Sequence, residues 1–67
     1  MDNIIEKIKQ ISINRPKEWR YGQAVFNNSY ILFPIETDTL RGGIYDCYYK
    51  DITVDIFLKL LNNLVNE

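Results

Sequence analysis

Apolar and polar positions along this chain recur with a helical period over most of its length. The longest such stretch runs from Pro16 to Phe33. At 100° per residue, Trp19, Gly22, Val25, Phe26, Ser29, Tyr30, Leu32 and Phe33 share one broad arc, while Lys17, Arg20, Gln23, Asn27 and Asn28 fall opposite. The pattern predicts a long central helix around which the other elements are organised. Gly22 and Ser29 lie near the middle of its apolar arc, seven positions apart. A glycine inside a helix costs about 1 kcal/mol relative to alanine. A neighbouring helix backbone is therefore expected to approach closely at Gly22.

Two further helices flank this one. Asn3-Ile4-Ile5-Glu6 has the form of a capping box. It opens a short helix of about two turns (roughly seven residues), with Ile4, Ile5, Ile8 and Ile11 inward and Glu6, Lys7, Lys9 and Gln10 toward water. Ser12 to Pro16 reads as its break, Asn14 being placed to cap the central helix and Pro16 to occupy its first turn. Pro34 stops the central helix near Phe33. At the far end, Val54, Phe57, Leu58, Leu60, Leu61, Leu64 and Val65 form one side of a helix reaching about Asn66, capped by Asp51 or Thr53. Asp55 and Lys59 are ordered for an i,i+4 pair on its polar side. So wide an apolar arc belongs either to the centre of the core or to an oligomer interface.

Between these helices the periodicity leaves two readings open. Pro34 opens a short helix with Glu36 and Asp38 near its N-terminus, Leu40 inward and Gly42 as a left-handed terminator. Alternatively, Tyr30 to Ile35 and Ile44 to Tyr49 pair as a β-hairpin at about 30–49, joined through Gly42-Gly43. A wider pattern bears on the choice: Arg20-x-Gly22-Gln23-Ala24-x-Phe26-Asn27, then Pro34, then Leu40-Arg41-Gly42, then Asp46-x-Tyr48-Tyr49-x-Asp51. It resembles a group of very short, uncharacterised bacterial and bacteriophage proteins whose pattern reads R-x-G-Q-A-x-x-N, P, L-R-G-T, D-P-F-Y-x-D before an amphipathic C-terminal helix. The resemblance covers about residues 19–64. The chain departs from it at Gly43, Cys47 and Tyr48, where the pattern has Thr, Pro and Phe. It implies an all-α domain of three main helices plus a short third-position helix, with α+β as the alternative, and it implies little about activity.

Composition changes this picture in one respect. The 67 residues make a single domain, 1–67, and 46% are hydrophobic, including five Tyr, three Phe and one Trp. A chain this short buries only about 60% of its unfolded surface, so either the core is unusually well packed or part of that apolar supply is covered by another chain, and a homodimer is the expected form. The formal charge of −1 fits neither a polybasic nucleic-acid binder nor an acidic DNA mimic. Residues 1–20 carry five basic and three acidic groups, and residues 21–67 carry three and six. The lone Cys47 favours a reducing compartment. Residues 1–10 alternate charge with isoleucine, unlike a signal peptide, and no run approaches the roughly 20 apolar residues of a membrane span. A cytoplasmic protein is expected.

Candidate chemistry is sparse. The chain has no histidine, the usual neutral-pH general base. Asp46 and Asp51 bracket a loop but offer no calcium-type ligand set. Cys47 stands beside Asp46, which does not activate a thiol. No enzyme activity, metal or cofactor is expected. Arg41-Gly42-Gly43 reads either as a helix terminus or as a small anion-binding nest, with Arg41 expected to pair with Asp46 or Asp51. Arg20, Gln23 and Asn27 form a polar stripe that either bonds to the 34–51 connection or recognises a partner. Tyr45, Tyr48 and Tyr49 are either interface anchors or core residues. The candidate binding set is thus Arg20, Gln23, Asn27, Arg41, Tyr45, Tyr48 and Tyr49. The expected function is a non-enzymatic phage or prophage-type module that binds a host or phage protein as inhibitor or adaptor. The alternative is a small DNA-binding regulator using the helix around Arg20 to Asn27, against which the missing basic field argues.

Overall fold

The computed structural model describes residues 4–66. Four α-helices follow one another: α1 (Ile4–Ile13), α2 (Tyr21–Leu32), α3 (Pro34–Leu40) and α4 (Val54–Val65), with a single 3₁₀ turn at Asp51–Thr53 leading into α4. No strand occurs among the described residues, so the fold is all-α with the expected short third helix, and the alternative hairpin at about 30–49 is the end of α2, α3 and a loop. α2 lies in the middle, packed on α1, α3 and the 3₁₀ turn, and α4 closes the other side against α1 and α3.

α1 is longer than expected and its inward stripe is different. Ser12 lies within the helix and is fully buried, whereas Ile11 is 40% exposed. From Ile8 the inward row proceeds four residues at a time, which selects position 12 rather than 11. A serine is tolerated there because its Oγ accepts a hydrogen bond from the Asn28 amide of α2 at 3.1 Å. The expected cap at Asn3 lies outside the described residues.

The central helix does not begin at Pro16. Residues 16–19 form a turn closed by the Trp19 N–H donating to the Pro16 carbonyl (3.1 Å), and α2 starts at Tyr21. Arg15 holds this turn in place. Its Nε donates to the Trp19 carbonyl at 3.0 Å and its Nη1 to the Ser12 carbonyl at 3.3 Å, with the guanidinium over the Tyr21 ring. Neither Asn14 nor Pro16 occupies the helix start; Arg20 is the extended N-cap residue and gives no side-chain cap bond. The Gly22 N–H in the first turn instead donates to Asp51 Oδ1 at 2.8 Å, an acceptor 29 residues away. Asp51 or Thr53 was expected to cap α4; Thr53 stands at its N-cap without a side-chain bond, and Asp51 caps α2 instead. Its negative charge at a helix N-terminus also suits the helix dipole.

Pro34 acts as expected. It disfavours helical geometry at Phe33, which takes φ −138° and ψ 70°, and then occupies the first turn of α3. Gly42, at φ +76°, follows the end of α3 in the left-handed region, as its spacing predicts. The core consists of Ile8, Val25, Phe26, Cys47, Val54, Phe57, Leu58 and Leu61. Half of it comes from α4, whose wide apolar arc therefore serves the core. Asp55 pairs with Lys9 of α1 at 3.3 Å rather than with Lys59.

Candidate functional site

The loop between α3 and α4 is organised by one carboxylate. Asp46 Oδ2 accepts from the Gly42 N–H at 2.7 Å and Oδ1 from the Tyr48 N–H at 2.8 Å, while its own N–H donates to the Gly43 carbonyl at 3.1 Å. The suspected nest at Arg41-Gly42-Gly43 is therefore filled from within: Gly42 serves Asp46, and the Gly43 N–H donates to the Leu40 carbonyl at 3.2 Å. Arg41 pairs with neither Asp46 nor Asp51. Its Nε meets Asp38 Oδ1 at 3.2 Å, one turn back on α3.

This loop is then pressed onto α2 at Gly22. A Cβ at that position would overlap the Cys47 carbonyl oxygen and lie 2.7 Å from Asp51 Oδ1 and 3.0 Å from the Lys50 carbonyl. The close approach expected at Gly22 is thus present, made by the 47–51 connection rather than by a helix. Cys47 enters the core beneath it and its thiol donates to the Gly22 carbonyl at 3.3 Å. Burial, followed by the charge of Asp46, pushes this thiol up to about 12, so it is protonated at neutral pH.

The polar stripe of α2 serves the same junction. Arg20 Nη2 donates to the Tyr48 carbonyl, and Gln23 Nε2 reaches the Tyr48 hydroxyl at 3.4 Å. Tyr48 is thereby fixed at backbone and ring. Its ring meets Phe26 edge-on, with centroids 5.7 Å apart at 88°, and Tyr49 at 4.7 Å and 68°. From the other side, the Arg41 guanidinium lies over the Tyr30 ring at 4.9 Å and near Phe26 at 5.7 Å.

These side chains enclose a surface cleft of about 350 Å³. Phe26, Asn27 and Tyr30 of α2 form one wall, and Arg41, Asp46, Tyr48 and Tyr49 the other. Of the seven residues picked from sequence, Asn27, Arg41, Tyr48 and Tyr49 line the cleft, and Arg20 and Gln23 stand behind it holding Tyr48. Tyr45 is not on its wall. Phe26, Tyr30 and Asp46 went unselected because the first two sit on an apolar arc that reads as core and the third reads as a turn residue.

Among the described residues no three cysteine, aspartate or glutamate side chains converge as a metal site. No described helix is long and apolar enough to cross a membrane. Compared with protein-family models, curated proteins and solved structures, the chain finds no match.

Proposed function

We propose that this chain is a small non-enzymatic protein-binding module whose aromatic cleft receives a segment of a partner protein. One observation carries the reading: three tyrosines and a phenylalanine are gathered with an arginine around one cleft, and Tyr49 stays 78% exposed. Tyrosine and arginine are enriched among the residues that dominate interface energy, and rings already locked by neighbours lose little freedom on binding. The lack of histidine and the buried, protonated thiol support a role without catalysis.

The resemblance to short phage proteins supports a phage or prophage-type role in the cytoplasm, acting on a host protein as inhibitor or adaptor. Exposed isoleucines outside the cleft, Ile31, Ile35, Ile44 and Ile52 among them, support self-association as a dimer. Arg20 and Gln23 spend their side chains on Tyr48, so no structural observation favours the DNA-reading alternative.

Affinity capture of the tagged chain from lysate of its own host, with and without nuclease, tests the proposal. A nuclease-resistant partner released by a Tyr30→Ala, Tyr49→Ala double variant is the expected result. Partners that vanish with nuclease, or that bind the double variant equally well, would overturn it.

A further inference from the structure

We infer that the cleft takes a partner's C-terminal residue, its free carboxylate on the outer edge of Arg41 and its apolar side chain against Tyr30, Phe26 and Tyr49. This inference rests on the reading of the cleft as a protein-binding site and names the chemistry of its occupant. The first argument is the hydrogen-bonding capacity left on the walls. The Asp46 carboxylate lines the cleft, but both oxygens already accept backbone N–H groups. The Arg41 guanidinium has one acceptor, Asp38 at Nε, which leaves the N–H groups on its two terminal nitrogens without a partner among the described residues. The Asn27 amide on the opposite wall makes no hydrogen bond to the described residues. The cleft thus offers a surplus of donors, and a carboxylate is the acceptor that a guanidinium edge fits best.

Preorganisation points the same way. The Arg41 side chain is held at Nε by Asp38 and on its face by Tyr30 and Phe26, so its remaining edge is presented without a search among rotamers. The small cleft favours one source of a carboxylate. About 350 Å³ lies near the lower end of the 300–1,000 Å³ typical of ligand pockets. A terminal residue carries its carboxylate and its apolar group on one Cα. An internal acidic residue needs a second residue to supply the ring, and therefore more space.

Three probes separate the outcomes when titrated into the ¹⁵N-labelled full chain and followed by amide, Asn27 side-chain and Arg41 Nε shifts. They are N-acetylphenylalanine, its C-terminal amide, and N-acetyl-aspartyl-phenylalanine amide. The free acid is expected to bind at least about tenfold more tightly than the amide, the effect of one charge-assisted hydrogen-bonded pair. Arg41→Met should erase that preference, and Arg41→Lys should reduce it, because an ammonium keeps the charge but loses the fork. Both substitutions fall at an exposed side chain, and circular dichroism checks that the helices persist. Equal binding of acid and amide would overturn the carboxylate assignment and leave the cleft as a protein-binding surface. Tighter binding of the aspartyl peptide amide would overturn the terminal source. No cleft shift with any probe would overturn this inference together with the cleft's proposed role.

Discussion

Gly22 is the residue on which the α2–loop junction turns. Because the obstacle to a side chain there is carbonyl oxygen of the backbone, no rotamer change relieves it. Gly22→Ala should cost about 3 kcal/mol, the upper end for overpacking, despite alanine's better helix propensity. Urea unfolding monitored at 222 nm would show this as a lower midpoint. Thr37 is the converse case: fully buried, with a hydroxyl that meets no hydrogen-bond partner among the described residues. Thr37→Val removes that group at nearly constant shape and should raise stability by about 1 kcal/mol; a fall in Tm would show that the hydroxyl is satisfied. Cys47 gives a pH signature. Its folded pKa, about 12, lies above the ordinary thiol value of 9.0, so the unfolded chain releases the proton first. The thiol's effect is absent below about 9 and destabilises the fold progressively as pH rises from there toward about 12. The alkaline fall in stability should therefore be shallower in Cys47→Ala than in the parent chain, and parallel slopes would contradict this.

At the scale of elements, the start of α2 depends on the start of α4. The Asp51 carboxylate reaches across 29 positions to cap the Gly22 N–H, so the start of α2 is fastened to the 3₁₀ turn that leads into α4. Asp51→Ala should cost about 1–2 kcal/mol, in the range of a lost N-cap. Asp51→Asn, which keeps an acceptor oxygen, should retain most of that stability. Native-state hydrogen exchange offers the check: Gly22 and its neighbours in the first turn of α2 should lose protection in the alanine variant, while the middle of α4 does not. The α3–α4 loop is similarly self-contained, with one carboxylate satisfying donors on either side of it. That is why a segment with little regular structure presents Tyr48 and Tyr49 in one defined arrangement.

For the whole molecule, stability and the cleft share side chains. Phe26 faces the cleft on one edge and Phe57 of the core on the other, with centroids 5.7 Å apart. Leu58 is fully buried in α4 away from the cleft wall, and Leu58→Ala should cost about 2–5 kcal/mol by leaving a cavity. Probe binding at the cleft should survive this change below the variant's unfolding midpoint. Loss of binding in a still-folded Leu58→Ala chain would mean that the cleft depends on distant packing.

Periodicity alone placed most of α2 and all of α4, because a wide apolar arc at 3.6-residue spacing has few other solutions. Pro34 and Gly42 marked the limits of α3 once the resemblance had favoured a helix over the hairpin, since each restricts the backbone wherever it stands. The tight contact at Gly22 was also legible, as a glycine that a free helix would not favour. What occupies that contact was not, because it is a loop 25 residues downstream. Tertiary structure likewise decided that Arg15 holds residues 16–19 out of the helix and that Asp51 caps α2. It also set Asp46 to bridge the Gly42 and Tyr48 N–H groups and carried Arg41 to Tyr30 and Phe26. Local rules describe which backbone states a residue tolerates and which face of a helix is apolar. They do not say which distant donor meets which acceptor, and the cleft is assembled from such pairings.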